Sequence, residues 1–251
     1  MSVYPDPCTP EADTLSRRGL LKSSLGIAAL GAMGGLTLAL PGVSFAAAMS
    51  QEDRDKLTPD EVIDLMKRGN ERFRTGKMLR HDYLAQKRAS AAGQYPAAVI
   101  LSCIDSRAPA EIILDMGIGD TFNARVAGNI ANDDILGSLE FACAAAGAKV
   151  VLVMGHTACG AIKGAIDGAK LGNLTQLLDK IKPAVQGTQY AGERSSKNYE
   201  FVDAVATTNV RRTMEDIRHR SEVLAGLEKD GKIKISGSMY HLTGGRVEFF
   251  S

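Results

Sequence analysis

The sequence predicts an α/β fold: a mostly parallel central sheet flanked by helices, entered through an N-terminal helical arm. Two observations carry this. Apolar runs of strand length at 97–101 and 149–154 end in small or polar residues and lead into helical patterns, which is how strands buried in a parallel sheet read. Each run is followed at once by side chains able to bind a metal. Cys103-Ile104-Asp105-Ser106-Arg107 follows the first, and Gly155-His156-Thr157-Ala158-Cys159-Gly160 follows the second. Parallel sheets bind ligands beyond the carboxyl ends of their strands, so the two segments are aimed at one place.

Taken in order, the chain of 251 residues opens on a segment that is not a domain. Ser16-Arg17-Arg18-Gly19-Leu20-Leu21-Lys22 pairs two arginines ahead of a Gly/Ala/Leu-rich run at 25–40, with Pro41 and small residues at 44–48. A basic segment, an apolar core and small residues form an export signal, and the arginine pair specifies the twin-arginine route. The apolar run is shorter than the ~20 residues of a spanning helix, so no stable membrane anchor is expected. The expected division is a signal at 1–46 and one domain at 47–251, located in the periplasm.

Thr58-Pro59-Asp60-Glu61 starts a helix, with Thr58 as N-cap, proline at the first helical position and Glu61 closing a capping box. Val62, Leu65, Met66 and Phe73 share one face, and Gly76 ends the element. Lying outside the strand–helix alternation, this helix is expected to pack on another subunit. A shorter helix covers 83–91, and the first strand runs over 97–103. A short helix at 109–115, a Gly117-Ile118-Gly119-Asp120 turn and a strand at 121–126 follow. After a loop at 127–129 come an Ala-rich helix at 133–146, the strand at 149–154, and a helix from Cys159 to about 170. A helix at 174–185 contains Pro183 near its end, and 187–198 is a polar loop. A long or broken helix spans 201–228. Strands at 232–242 and 246–250, joined at Thr243-Gly244-Gly245, form a C-terminal hairpin.

Cys103, His156 and Cys159 make a Cys2His set, and three protein ligands with a fourth position open characterise a catalytic zinc. Placing Cys159 at a helix start favours its thiolate. Buried structural cysteines or a disulfide are the alternative; the grouping of His156, Asp105 and Arg107 around them favours zinc. Asp105 can accept a proton from a nucleophile on the metal, and Arg107 can hold Asp105 through a bidentate contact. Released from Arg107, Asp105 becomes a possible fourth ligand in a closed form. Cys143, among alanines on a helix, reads as a small buried hydrophobe. His81, His219 and His241 have no partner in sequence, and Arg125 reads as bracing the loop it begins.

The paired motif, with Cys103 and His156 53 positions apart, resembles the β-class carbonic anhydrases. The resemblance extends over about 58–250 and includes Arg125-Val126-Ala127-Gly128-Asn129. It implies one Zn2+ per subunit and reversible hydration of carbon dioxide to bicarbonate and a proton, by zinc-bound hydroxide. It also implies a substrate side built from Gln94, Phe122, Ala127, Phe141 and Gly160. In that family the pocket is completed across a dimer interface, so the resemblance implies a homodimer or higher assembly of dimers. Some relatives build a non-catalytic bicarbonate site partly on tryptophan, and this chain has none.

A formal net charge of +1 and the lack of a basic stripe exclude a nucleic-acid partner. Gly117-Ile118-Gly119 lacks the full dinucleotide fingerprint. The rival readings are a carbon disulfide or carbonyl sulfide hydrolase on the same scaffold, and a non-catalytic zinc-binding interaction module.

Overall fold

A computed structural model describes residues 48–250. The expected export signal at 1–46 lies outside the described residues, as does Cys8.

Five strands form one sheet in the order β2-β1-β3-β4-β5: β1 (Ala98–Ser102), β2 (Thr121–Arg125), β3 (Val150–His156), β4 (Lys234–Tyr240) and β5 (Val247–Phe250). β1 pairs in parallel with β2 and β3, and β3 with β4. Only β5 is antiparallel, returning along β4 as the predicted hairpin. Every residue of β1 and β3 is buried, as two-sided coverage of central strands requires. Their alternation divides the core. Val99, Leu101, Val151 and Val153 face one set of helices, while Ala98, Ile100, Val150, Leu152 and Met154 face the other. Register places Ser102 opposite Met154, so the chain leaves both strands at the same rim.

The first core is covered by α5 (Asp133–Glu140), α6 (Gly160–Ile166), α7 (Gly172–Asp179), α8 (Lys182–Gly187), α9 (Tyr199–Arg220) and α10 (Glu222–Lys229). The second is covered by α2 (Pro59–Arg74) and α4 (Ala110–Ile113). Two further helices are α1 (Gln51–Lys56) and α3 (Tyr83–Ser90). The capping box at Thr58 forms as expected, with both reciprocal hydrogen bonds present.

α2 does not need another subunit to bury its apolar face. Val62, Ile63 and Met66 pack into the second core of their own chain. Asn70 fixes the helix further: its amide donates to the carbonyls of Ile113 and Gly245, and its oxygen accepts from Val247 N–H.

Two predicted helices differ in extent and a third, expected as long or broken, is broken, each for a local reason. The predicted helix at 174–185 is two helices, because Pro183 lies in the first turn of α8 and proline cannot continue a helix through its interior. The long C-terminal helix breaks at Ser221, which is extended and caps α10 by accepting from Leu224 N–H. The Ala-rich helix stops being α-helical after Glu140 and finishes as a π turn over Phe141–Ala145, closed by Ala146 N–H on the Phe141 carbonyl.

Candidate metal centre

Cys103 follows β1, His156 is the last residue of β3, and Cys159 is the N-cap of α6. All three are buried, and their ligand atoms lie within 4.8 Å of one another. Cys103 Sγ and Cys159 Sγ are 4.0 Å apart and the cysteines are free. Two thiolates on one tetrahedral zinc, each at ~2.3 Å, would be ~3.8 Å apart, whereas a disulfide requires ~2 Å. His156 Nδ1–H donates to the Thr157 carbonyl at 2.9 Å, which leaves Nε2 to face the sulfurs. That Nε2 is buried with no hydrogen-bond partner, and a buried polar atom left unpaired is costly. Two sulfurs and one orphaned imidazole nitrogen fit a borderline-soft divalent ion such as zinc.

The cysteines share a proton. The hydrogen bond between the two sulfurs holds Cys103 well below the usual thiol range against the opposing effect of burial. The same hydrogen bond, with burial, raises Cys159, and this outweighs the N–H groups of Ala161 and Ile162 at the start of α6. Gly128 N–H also reaches Cys103 Sγ, at 3.4 Å. Burial works against a charged His156, but neighbouring Cys103 outweighs it and raises the imidazole.

Asp105 lies beside the cluster, its Oδ2 3.8 Å from His156 Nε2. Arg107 grips it as expected: Nε donates to Oδ1 at 2.9 Å and Nη2 to Oδ2 at 2.8 Å, joined by the Arg107 backbone N–H on Oδ1. Those bonds hold the carboxyl well below the ordinary carboxylate range although partial burial opposes them. Arg125 does more than brace its own loop. It donates to the carbonyls of Cys103 and Asp105, at 2.9 and 2.7 Å, clamping the segment that carries the first ligand and the aspartate.

The five residues expected on the substrate side are placed unevenly. Gly160 follows Cys159 on the exposed side of α6, and Ala127 precedes the Gly128 that touches Cys103. Phe122 and Phe141 meet edge to face, ring centroids 6.1 Å apart. With Val99, Ala124 and Ile135 they line a groove of about 690 Å3. The π turn starts at Phe141, whose ring is left exposed in that groove. Gln94 is exposed, precedes β1 and makes no hydrogen bond among the described residues. Five strand residues put roughly 16 Å between that end of β1 and the Cys103 end.

Two histidines without partners in sequence have acidic neighbours in space. His81 is buried and its Nε2 lies 2.9 Å from Asp115 Oδ1. His241 Nε2 lies 3.4 Å from Glu248 Oε2. His219 is exposed, as expected. Cys143 is buried, and burial pushes its thiol up to about 12, too high to act as a ligand or nucleophile near neutral pH.

Comparison with known proteins gives the same family from three directions. Residues 98–247 match the family model described as carbonic anhydrase. The chain is 34% identical over 192 residues to the carbonic anhydrase of Mycolicibacterium smegmatis, covering 74% of this chain and 90% of that one. It is 35% identical over 188 residues to carbonic anhydrase 2 of Mycobacterium tuberculosis, covering 72% and 88%. Among solved structures, a tetrameric β-carbonic anhydrase of the ascomycete Sordaria macrospora aligns with a TM-score of 0.58 at 25% identity, over 64% of this chain and 83% of that one. A β-carbonic anhydrase of Aspergillus fumigatus aligns at 0.57 and 27% identity, over 65% and 79%. The matched span begins with β1 and ends on the first residue of β5, so it holds both ligand-bearing rims and the whole parallel sheet between them: the chain belongs to the carbonic anhydrase family, in its β class, and is an enzyme of that family.

Proposed function

We propose that the protein catalyses the reversible hydration of carbon dioxide to bicarbonate and a proton, with one zinc ion held by Cys103, His156 and Cys159. The observation that carries this reading is the buried, unpartnered His156 Nε2 facing two free cysteines, with Asp105 tethered beside them. Zinc, when bound, supplies Lewis acidity and makes water acidic enough to serve as a nucleophile near neutral pH. The chain's residues do the rest. Asp105 stays ionised and accepts a hydrogen bond from the attacking group, so that a lone pair points at the substrate carbon. Arg107 keeps Asp105 in that role and off the metal. The apolar wall that Phe122 and Phe141 give their groove suits a small uncharged substrate, while Asn123, Asp133 and Asp134 line the rest.

The same proposal covers assembly and location. Gln94 lies far from its own chain's ligands, which fits a dimer in which each protomer's Gln94 completes the partner's pocket. Residues 1–46 serve as a twin-arginine signal, 47–251 as the catalytic domain in the periplasm. Among the described residues no helix is long and apolar enough to cross a membrane.

The test is stopped-flow carbon dioxide hydration by zinc-loaded protein from about pH 6.5 to 9, bracketing the ~7 of a catalytic zinc water. Activity rising with pH supports the reading. Zinc-replete protein that is inactive throughout, but turns over carbonyl sulfide or carbon disulfide, would transfer the assignment to those substrates. Inactivity toward all three leaves a zinc-binding module.

A further inference from the structure

The loop from His156 to Cys159 carries two of the three ligands and turns through a residue that is not glycine. Ala158 has φ 54°, the left-handed region that a Cβ disfavours. Three hydrogen bonds from outside hold the loop. Thr157 N–H donates to the Tyr240 carbonyl at 3.0 Å, and Thr157 Oγ1 accepts from Leu242 N–H at 3.0 Å. Both of these secure Thr157, on the ligand-histidine side. The turn itself is held by a side chain of α9, 45 residues away: Asp203 Oδ1 accepts Ala158 N–H at 2.8 Å. A cavity of about 290 Å3 adjoins Thr157 and Asp203, lined by polar and apolar side chains alike, among them Arg211, Met239, His241 and Phe250.

We propose that Asp203 is a positioning residue of the metal centre, its side-chain oxygen holding Ala158 left-handed so that His156 and Cys159 present their ligand atoms to one ion. The inference rests on the metal reading above. Relaxation of Ala158 to negative φ would redirect the chain between the two ligands and carry Cys159 Sγ out of its approach to Cys103. The position requires an acceptor of a given reach. Asparagine supplies an oxygen at that distance and alanine supplies none.

Cobalt(II) binding to the metal-depleted full chain tests this, because its d–d and thiolate charge-transfer bands report ligand geometry and chelator competition gives affinity. D203A should weaken cobalt binding by roughly 10- to 100-fold, the range for lost partners outside the ligand set, and alter the d–d band. D203N should return both close to wild type. A158G in the D203A background should recover most of the loss, since glycine takes positive φ without steric cost. If D203A alone does not fold, D203N and the double variant still carry the test, and near-wild-type affinity is expected in both. Unchanged affinity and spectrum in D203A would overturn the proposal, as would a D203N defect as deep as that of alanine or a double variant without recovery. A wild-type chain that binds no cobalt would remove the metal reading and this inference together, an outcome distinct from insensitivity of the variants.

Discussion

Replacing Gly128 by alanine should destabilise the protein, while the same replacement at Gly226 should stabilise it. Gly128 has φ 70°, its carbonyl accepts from Asn209 Nδ2 at 2.7 Å, and its N–H reaches Cys103 Sγ. A Cβ there would sit 2.5 Å from Ile181 Cδ1, on a side chain that is fully buried. The left-handed conformation costs an alanine ~1–2 kcal/mol, and driving Ile181 off its rotamer adds ~0.5–1.5 kcal/mol. Together they predict a loss of about 1.5–3.5 kcal/mol. Gly226 lies inside α10 with nothing within 4 Å of its added Cβ, so alanine gains ~0.5–1 kcal/mol. Urea unfolding at fixed protein and zinc concentration measures both, and the midpoints should move in opposite directions at constant m. A Gly128→Ala midpoint within ~0.5 kcal/mol of wild type, the scatter of an ordinary surface change, would refute the argument from backbone conformation and packing.

Three further outcomes concern the site. Cys159→Ser should lose metal and carbon dioxide hydration together; metal analysis showing full occupancy in the variant would remove Cys159 from the ligand set. Asp105→Asn should retain metal and lower turnover roughly 10- to 100-fold, as for groups that act beside the ligands, and an unchanged rate would exclude Asp105 from the chemistry. Metal binding should release roughly one to two protons, because both sulfurs must be thiolates while Cys159 holds the shared proton in the chain by itself and His156 is raised. Affinity should therefore fall as pH falls, and calorimetry in two buffers of different ionisation enthalpy counts the protons.

What was legible in the sequence was local. Thr58, Pro59 and Glu61 specify a helix start within four residues, and Thr243-Gly244-Gly245 specifies the hairpin. The two ligand segments were readable because each follows a strand, and a parallel sheet brings such ends together. What escaped were contacts to backbone groups distant in sequence. Asp203 reaches Ala158 N–H across 45 residues, and Asn209 reaches the Gly128 carbonyl across 81. Every residue but proline offers the same N–H, so such a partner leaves no mark in residue identity. Arg125 holds more than the loop it begins, and its partners, the carbonyls of Cys103 and Asp105, are just as anonymous in sequence. His81 has no partner in sequence because Asp115, 34 residues on, becomes its neighbour only once α2 and α4 pack. Pro183, near the end of the expected helix, sits equally well in the first turn of a new one.

The placement of the ligands on β1 and β3 also sets when the centre can exist. Parallel neighbours are joined by long crossovers, and contacts distant in sequence form late because their loop-closure entropy must be met first. β1 must lie beside β3 in the register that sets Ser102 against Met154 before Cys103 and His156 share a rim. A metal held there would thus act as a clasp on a sheet already assembled rather than as a nucleus for it. An interaction absent from the folding transition state slows unfolding and leaves the folding rate nearly untouched. Stripping the metal would shorten the lifetime of the native protein without slowing its formation.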